Sequence, residues 1–320
     1  MARFLARRLA FAALVLFIIS VVVFLLFFVV APGDPAANFV GKSATPERIA
    51  QARAHYGLDK PILQQYLTYA GRLLHGDLGY SFRNEEPVTT TLLSRLPVTA
   101  SLAVGAALLW LLVGIPVGIL AATKPRSVRD RVATGLALGG LSMPTFVIGL
   151  VLLYFLFYRL TLNGIRIFPG NGYVPLTQSP WGWFTHLWLP WVTIAMTYAA
   201  SYSRITRGSL LEVLGEDYIR TARSKGISER RVTFRHGLRS ALTPVATLLG
   251  IDLGGLLGGA IVTEAVFGLQ GVGQTAVQAV FVGDLPVIFG TVLLAGFFVV
   301  IGNVVVDVVY AMLDARVRLA

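Results

Sequence analysis

Glu216-Asp217-Tyr218-Ile219-Arg220-Thr221-Ala222-Arg223-Ser224-Lys225-Gly226-Ile227-Ser228-Glu229-Arg230-Arg231 is the most polar stretch of a very apolar chain. It reads as two short helices. Gly226 closes the first, because a glycine ends a helix without a Cβ penalty, and Ser228 can cap the second with Glu229 in its first turn. Tyr218, Ile219 and Ala222 fall on one side of the first helix and are expected to form a docking face. A soluble helical hairpin held by short connections between two membrane crossings moves with them, so a partner that grips it can push or pull on the membrane part.

Working outward, hydrophobic residues make up 55% of the 320-residue chain and charged residues only 13%. With a mean hydropathy of +0.72, this composition places the chain in a bilayer. The net charge of +11 does not point to nucleic acid, because the basic residues sit in short connections between apolar runs and are not interleaved with aromatics on a soluble face. The absence of cysteine excludes a disulfide framework, a thiolate metal site and a cysteine nucleophile.

Six apolar runs are long enough to cross, at about 11–31, 101–122, 132–158, 187–203, 242–265 and 287–311. Each is expected to be a helix, since lipid offers backbone groups no partners. The first follows Arg3, Arg7 and Arg8 and exceeds the roughly 7–15 residues of a signal-peptide core, so it reads as a retained span. Pro144 is expected to kink the third run after Met143. The fourth is barely long enough and leans on Trp188, Trp191 and Tyr202 as interfacial anchors. Eighteen of the 27 basic residues fall in connections on the side of the N-terminus, which sets both termini in the cytoplasm. The reading is therefore an all-α integral membrane protein: a first helix over 1–31, an extracytoplasmic segment over 32–100, a core over 101–311 with a cytoplasmic loop at 204–241, and a tail over 312–320.

On charge alone, Arg220, Arg223, Lys225, Arg230, Arg231, Arg235 and Arg239 would sit under anionic headgroups. The pattern says more. Arg220-Thr221-Ala222 and Gly226 resemble the cytoplasmic coupling loop of the membrane-spanning subunits of ATP-binding-cassette importers, which runs Glu-Ala-Ala, three residues, Gly, nine residues, Ile-x-Leu-Pro. Arg220 stands where the general family has Glu, and His236-Gly237-Leu238-Arg239 stands where it has Ile-x-Leu-Pro. Asp217-Tyr218-x-Arg220-Thr221-Ala222-Arg223-x-Lys225-Gly226, followed by Arg235-His236-x-Leu238-Arg239-x-Ala241 and Pro244, resembles the dipeptide, oligopeptide and nickel branch of these permeases.

The likeness extends to Gly57-Leu58-Asp59-Lys60-Pro61, Gln65-Tyr66 and Gly76-Asp77-Leu78-Gly79-Tyr80-Ser81, and to Glu264–Gly273, where Gln270 replaces the proline of many members. It implies the transmembrane fold of a type I importer, with six helices and a small extracytoplasmic helical domain between the first two. It also implies a second homologous permease subunit, one or two ATPase subunits that hold ATP and magnesium, an extracytoplasmic substrate-binding protein, and residence among the lipids of a bacterial cytoplasmic membrane. Asp217, Tyr218, Arg220, Thr221, Ala222, Arg223, Lys225 and Gly226 are the residues this assigns to coupling. No nucleic acid is implied as a partner.

In the 32–100 segment, Thr45-Pro46-Glu47 opens a helix with proline at its first position, Gly57 ends it, and Pro61 to Leu74 is a second amphipathic stretch. Gly41-Lys42-Ser43 has Ala36 where a phosphate-binding loop needs glycine and faces outward, so it reads as a turn before Glu47. The chain is thus expected to hold no cofactor and no nucleotide of its own.

Gly250, Gly254 and Gly258 recur every four residues in the fifth run. They read either as a static tight contact or as a surface along which helices reseat near the pathway. Asp252 is a candidate to line a polar path, against a structural hydrogen bond or ion pair. Glu264 is the other pathway candidate, although it and Asp307 lie near span ends and are expected to be solvated or paired to arginine. His55, His75, His186 and His236 lack ligand spacing, and no catalytic residue or metal site is expected. The resemblance implies a non-enzymatic function: half of a pathway importing short peptides. Nickel, glutathione or haem would be alternatives on the same architecture, and a stand-alone secondary transporter would need inverted repeats that the sequence does not show.

Overall fold

The computed structural model describes residues 2–30, 33–40, 45–81 and 83–313. Helix α1 covers Ala2–Phe24 and runs on in wider turns over Leu25–Val30. It is followed by α2 (Pro35–Val40), α3 (Pro46–Tyr56), α4 (Ile62–Leu74) and a two-stranded antiparallel hairpin, β1 (Tyr80–Ser81) with β2 (Glu86–Pro87). Next come α5 (Val88–Thr123), α6 (Val128–Ser142), α7 (Thr145–Leu162) and α8 (Pro180–Leu214). The polar stretch forms α9 (Asp217–Ser224) and leads into α10 (Glu229–Ala241), α11 (Thr243–Leu257), α12 (Ile261–Val266), α13 (Val272–Val282) and α14 (Leu285–Leu313). Gly41-Lys42-Ser43, the side chain of Asp307 and the 314–320 tail lie outside the described residues.

Among the described residues, four helices are long and apolar enough to cross a membrane: Ala6–Val30, Val88–Thr123, Thr145–Leu162 and Leu285–Val306. Helices α10 and α11 meet at a 46° bend and together supply a fifth crossing if taken as one. Two expectations need correction. The run at 132–158 is broken, not kinked: α6 ends at Ser142, Met143 is extended at φ −97° and ψ 127°, and α7 starts after Pro144. Proline forces its predecessor out of the helical region and donates no N–H, and here both effects end the helix. The short run at 187–203 sits inside the 35-residue α8, which reaches far beyond it at both ends.

The core is the long seam between α5 and α8. Trp110, Leu102, Leu187 and Ile194 are buried there, and the Trp191 indole donates to the Ser101 carbonyl at 3.0 Å. Helix α11 lies against α14 through its glycines. A Cβ on Gly254 would stand 2.8 Å from the Val299 Cα, and one on Gly258 would stand 2.6 Å from the Ala295 Cβ. These positions hold glycine because backbone meets backbone.

A second cluster joins Phe24 and Phe28 of α1 to Phe39, Tyr56 and Phe289. The Thr45 hydroxyl accepts from the Arg48 amide, Pro46 fills the first turn of α3, and Gly57 closes it at φ +64°, as the sequence led us to expect. The Tyr56 hydroxyl is buried between the Tyr80 amide and carbonyl, and burial drives its pKa upward.

Candidate functional site

The polar hairpin is built as two faces. On α9, Ile219 is fully buried and Ala222 is 8% exposed, and both pack on Val232 with Val213, Leu214 and Ile227 beside them. This corrects the expected docking face: Ile219 and Ala222 hold the helix to its own chain. The surface left for a partner carries Asp217, Tyr218, Arg220, Thr221, Ser224 and Lys225, with Tyr218 47% exposed. The Tyr218 hydroxyl donates to Ser240 Oγ of α10 at 3.4 Å, which steadies the ring without burying it.

Gly226 has φ +75°, and its amide donates to the Arg223 carbonyl at 2.9 Å. It is thus the left-handed residue that ends α9. Ser228 takes the backbone position of a helix cap, although its hydroxyl makes no capping bond. Glu229 is held across the turn, where Arg223 Nε donates to its Oε1 at 2.7 Å and Arg223 Nη1 reaches the Leu214 carbonyl at 3.2 Å. That pairing lowers the pKa of Glu229 and raises that of Arg223. Arg220 and Asp217 form a solvent-exposed pair at 3.3 Å, which contributes little to stability. Arg223 thus bridges α9 to both neighbouring helices through bonds that stay exposed to solvent, while the other charges of α9 stay on its open side.

Of the pathway candidates, Asp252 lies half-buried on α11 and accepts a hydrogen bond from the Tyr202 hydroxyl of α8 at 2.7 Å. Trp110 of α5 stacks on Tyr198 at 4.7 Å and lies 5.7 Å from Tyr202. A carboxylate and three aromatic rings thus gather where α5, α8 and α11 meet. Gly254 and Gly258 do not share this place, since they face α14.

Glu264 is neither solvated nor set against an arginine, contrary to expectation. It is fully buried and accepts from Thr99 Oγ1 at 2.7 Å and from the Gln274 amide at 2.8 Å. Thr99 in turn accepts from the Val272 amide at 2.8 Å. Helices α5, α12 and α13 are pinned together by this one carboxylate.

Sequence reasoning missed Asp130. At the start of α6, Asp130 takes Arg207 of α8 in a two-pronged ion pair at 2.6 and 2.9 Å and also accepts the Arg126 amide. These donors lower its pKa to about 2, the Arg207 hydrogen bond most of all. The only hint in the sequence was Ser127-x-x-Asp130, a capping pattern that gives no sign of a partner 77 residues away. Among the described residues, no group of three or more His, Cys, Asp or Glu is placed to hold a metal ion.

Comparison with known proteins fits this geometry. Residues 114–319 match the family described as binding-protein-dependent transport system inner membrane component, and residues 1–103 match the corresponding N-terminal family. The chain is 42% identical over 312 residues to a putative peptide transport system permease protein of Brucella abortus, covering 98% of each. It is 40% identical over 306 residues to the dipeptide transport system permease protein of Escherichia coli, covering 90% of each. Its fold resembles that of a methionine ABC transporter solved in inward-facing conformations, with a TM-score of 0.54 at 19% identity over 70% of this chain and 96% of the solved one.

Proposed function

This chain belongs to the family of binding-protein-dependent transport system inner membrane components, and from that premise we propose that it forms half of the pathway of an importer for short peptides. A homologous permease subunit supplies the other half. Separate ATPase subunits bind ATP with magnesium and grip the exposed face of α9, while an extracytoplasmic binding protein delivers the substrate. The observation that carries this reading is the division of α9 into a buried face that ties it to the membrane helices and a polar face turned outward from the chain. Closure of the ATPases moves α9, and Arg223 passes that movement to α8 and α10, so that the helices exchange inward-open and outward-open states.

The six crossings of this reading are α1, α5, α7, α8, the 242–265 run carried by α11 and α12, and α14, with both termini in the cytoplasm. Helix α8 is less apolar because protein surrounds it: Leu187, Trp191, Ile194 and Tyr202 are all buried. The 32–100 segment, with α3 and α4, is the outer part, 101–311 is the core with its loop at 204–241, and 312–320 is the tail. Asp252 lines the path, with Tyr202 orienting it.

Reconstituting the chain with its partners tests this. The expected result is ATP-dependent uptake of a labelled dipeptide, together with loss of the ATPase subunits on co-purification when 218–225 is replaced by a flexible linker. Full retention of those subunits by the linker variant would refute the coupling assignment.

A further inference from the structure

Helix α4 carries three distinct faces. Tyr66 and Tyr69 turn toward α1: the Tyr66 and Ser20 hydroxyls are 3.0 Å apart, and the Tyr66 and Tyr69 rings lie 5.3 and 5.7 Å from the ring of Phe24. A polar face turns toward α3, where Gln65 Nε2 donates to the Leu58 carbonyl at 3.1 Å and Arg72 donates to the His55 carbonyl. The third face is open. Leu63, Leu67 and Leu74 fall within about 40° of one another around the helix and are 70%, 61% and 89% exposed.

What covers that face follows from its depth. The apolar span of α1 ends at Val30, and at 1.5 Å per residue Phe24 lies about 9 Å and Ser20 about 15 Å below that end. The hydrocarbon half-thickness is itself about 15 Å. A helix whose tyrosine side chains meet α1 at those levels runs beside a membrane-spanning helix, and with that span set in a bilayer its free flank falls within the outer leaflet. We propose that α4 is an interfacial helix sunk in the outer leaflet, with Leu63, Leu67 and Leu74 among lipid tails. This rests on the reading that the 32–100 segment is extracytoplasmic. The segment is then anchored to the bilayer beside α1, and α3 alone of the two helices stands in water. An amphipathic helix with leucines on one flank and its polar groups satisfied on another is built for that boundary.

The chain contains no cysteine, so single-cysteine variants report one site each. Leu63→Cys, Leu67→Cys and Leu74→Cys, with Glu47→Cys on α3 as the aqueous reference, would be labelled with an environment-sensitive fluorophore in the assembled transporter, in phosphatidylcholine vesicles. Lipids spin-labelled on the acyl chain are expected to quench the three α4 sites several-fold more than aqueous iodide does, with the order reversed at Glu47→Cys. Iodide quenching at all three α4 sites that the binding protein relieves would make this face a protein-docking surface and overturn the proposal. Shielding from both quenchers would assign it to a neighbouring subunit and overturn it equally. The side assignment is tested separately: if an impermeant maleimide added to intact cells fails to label Glu47→Cys, the 32–100 segment is not outside, whatever the depth results.

Discussion

Replacing Tyr218 with alanine isolates the side of α9 that we propose meets the ATPases from the side that holds the loop together. The ring is 47% exposed. A tyrosine presents about 200 Å² in full, so about 95 Å² is available for an ATPase subunit to bury. At about 25 cal/mol per Å² this amounts to about 2.4 kcal/mol, an upper bound corresponding to roughly a 50-fold weaker complex. The loop itself changes little, because among the described residues the side-chain hydrogen bond lost is the long one to Ser240 at 3.4 Å. Ile219→Ala is the contrasting variant. Its side chain is fully buried against Val232, and its truncation costs about 2–5 kcal/mol of local stability. The assay measures affinity of the purified permease pair for its ATPase subunits, alongside protease sensitivity of the loop at Arg230 and Arg231. Tyr218→Ala should lose affinity with an intact loop, and Ile219→Ala should open the loop to cleavage. Wild-type affinity in Tyr218→Ala would refute the assignment of this face to the ATPases.

At Gly226, φ is +75° and a Cβ added there would meet no atom within 4 Å, so substitution costs only backbone conformation, about 1–2 kcal/mol for an ordinary L-residue. Gly226→Val should leave ATP hydrolysis running without uptake while Gly226→Asn, which tolerates the left-handed region, stays coupled; uptake and hydrolysis measured in parallel decide this. Gly254→Ala drives a Cβ to 2.8 Å from the Val299 Cα, whereas Gly255 has open space. The first should therefore lower thermal stability in nanodiscs by about 1–3 kcal/mol and Gly255→Ala should leave it unchanged. The Asp130 pKa is lowered from 3.8 to about 2. Its ion pair with Arg207 thus adds stability that is complete above the unfolded pKa of 3.8 and fades as pH falls through about 2. The stability difference between wild type and Asp130→Asn should be flat above about pH 5 and fall progressively as pH drops through about 2 toward 1.

The local chemistry of the chain was legible without coordinates. The left-handed Gly226, the Thr45 cap, the Gly57 stop and the polarity of the 216–231 stretch each depend on a few adjacent residues, and each is where the sequence puts it. The direction of a helix was harder to read. Ile219 and Ala222 look like a docking face in isolation, and they become an internal one only because α10 returns Val232 against them. Pro144 announced a disturbance, but whether a helix bends or ends there depends on the packing available to each half.

Sequence by itself determined that this chain lives in a membrane and where its polar hairpin lies, because apolar run length and helix punctuation are local properties. Tertiary structure alone decided the polar contacts inside it. Thr99 meets Glu264 across 165 residues and Arg207 meets Asp130 across 77. Such pairs carry no periodic signal: a buried charge finds its partner through the way helices cross, and that crossing is set by the packing of whole faces.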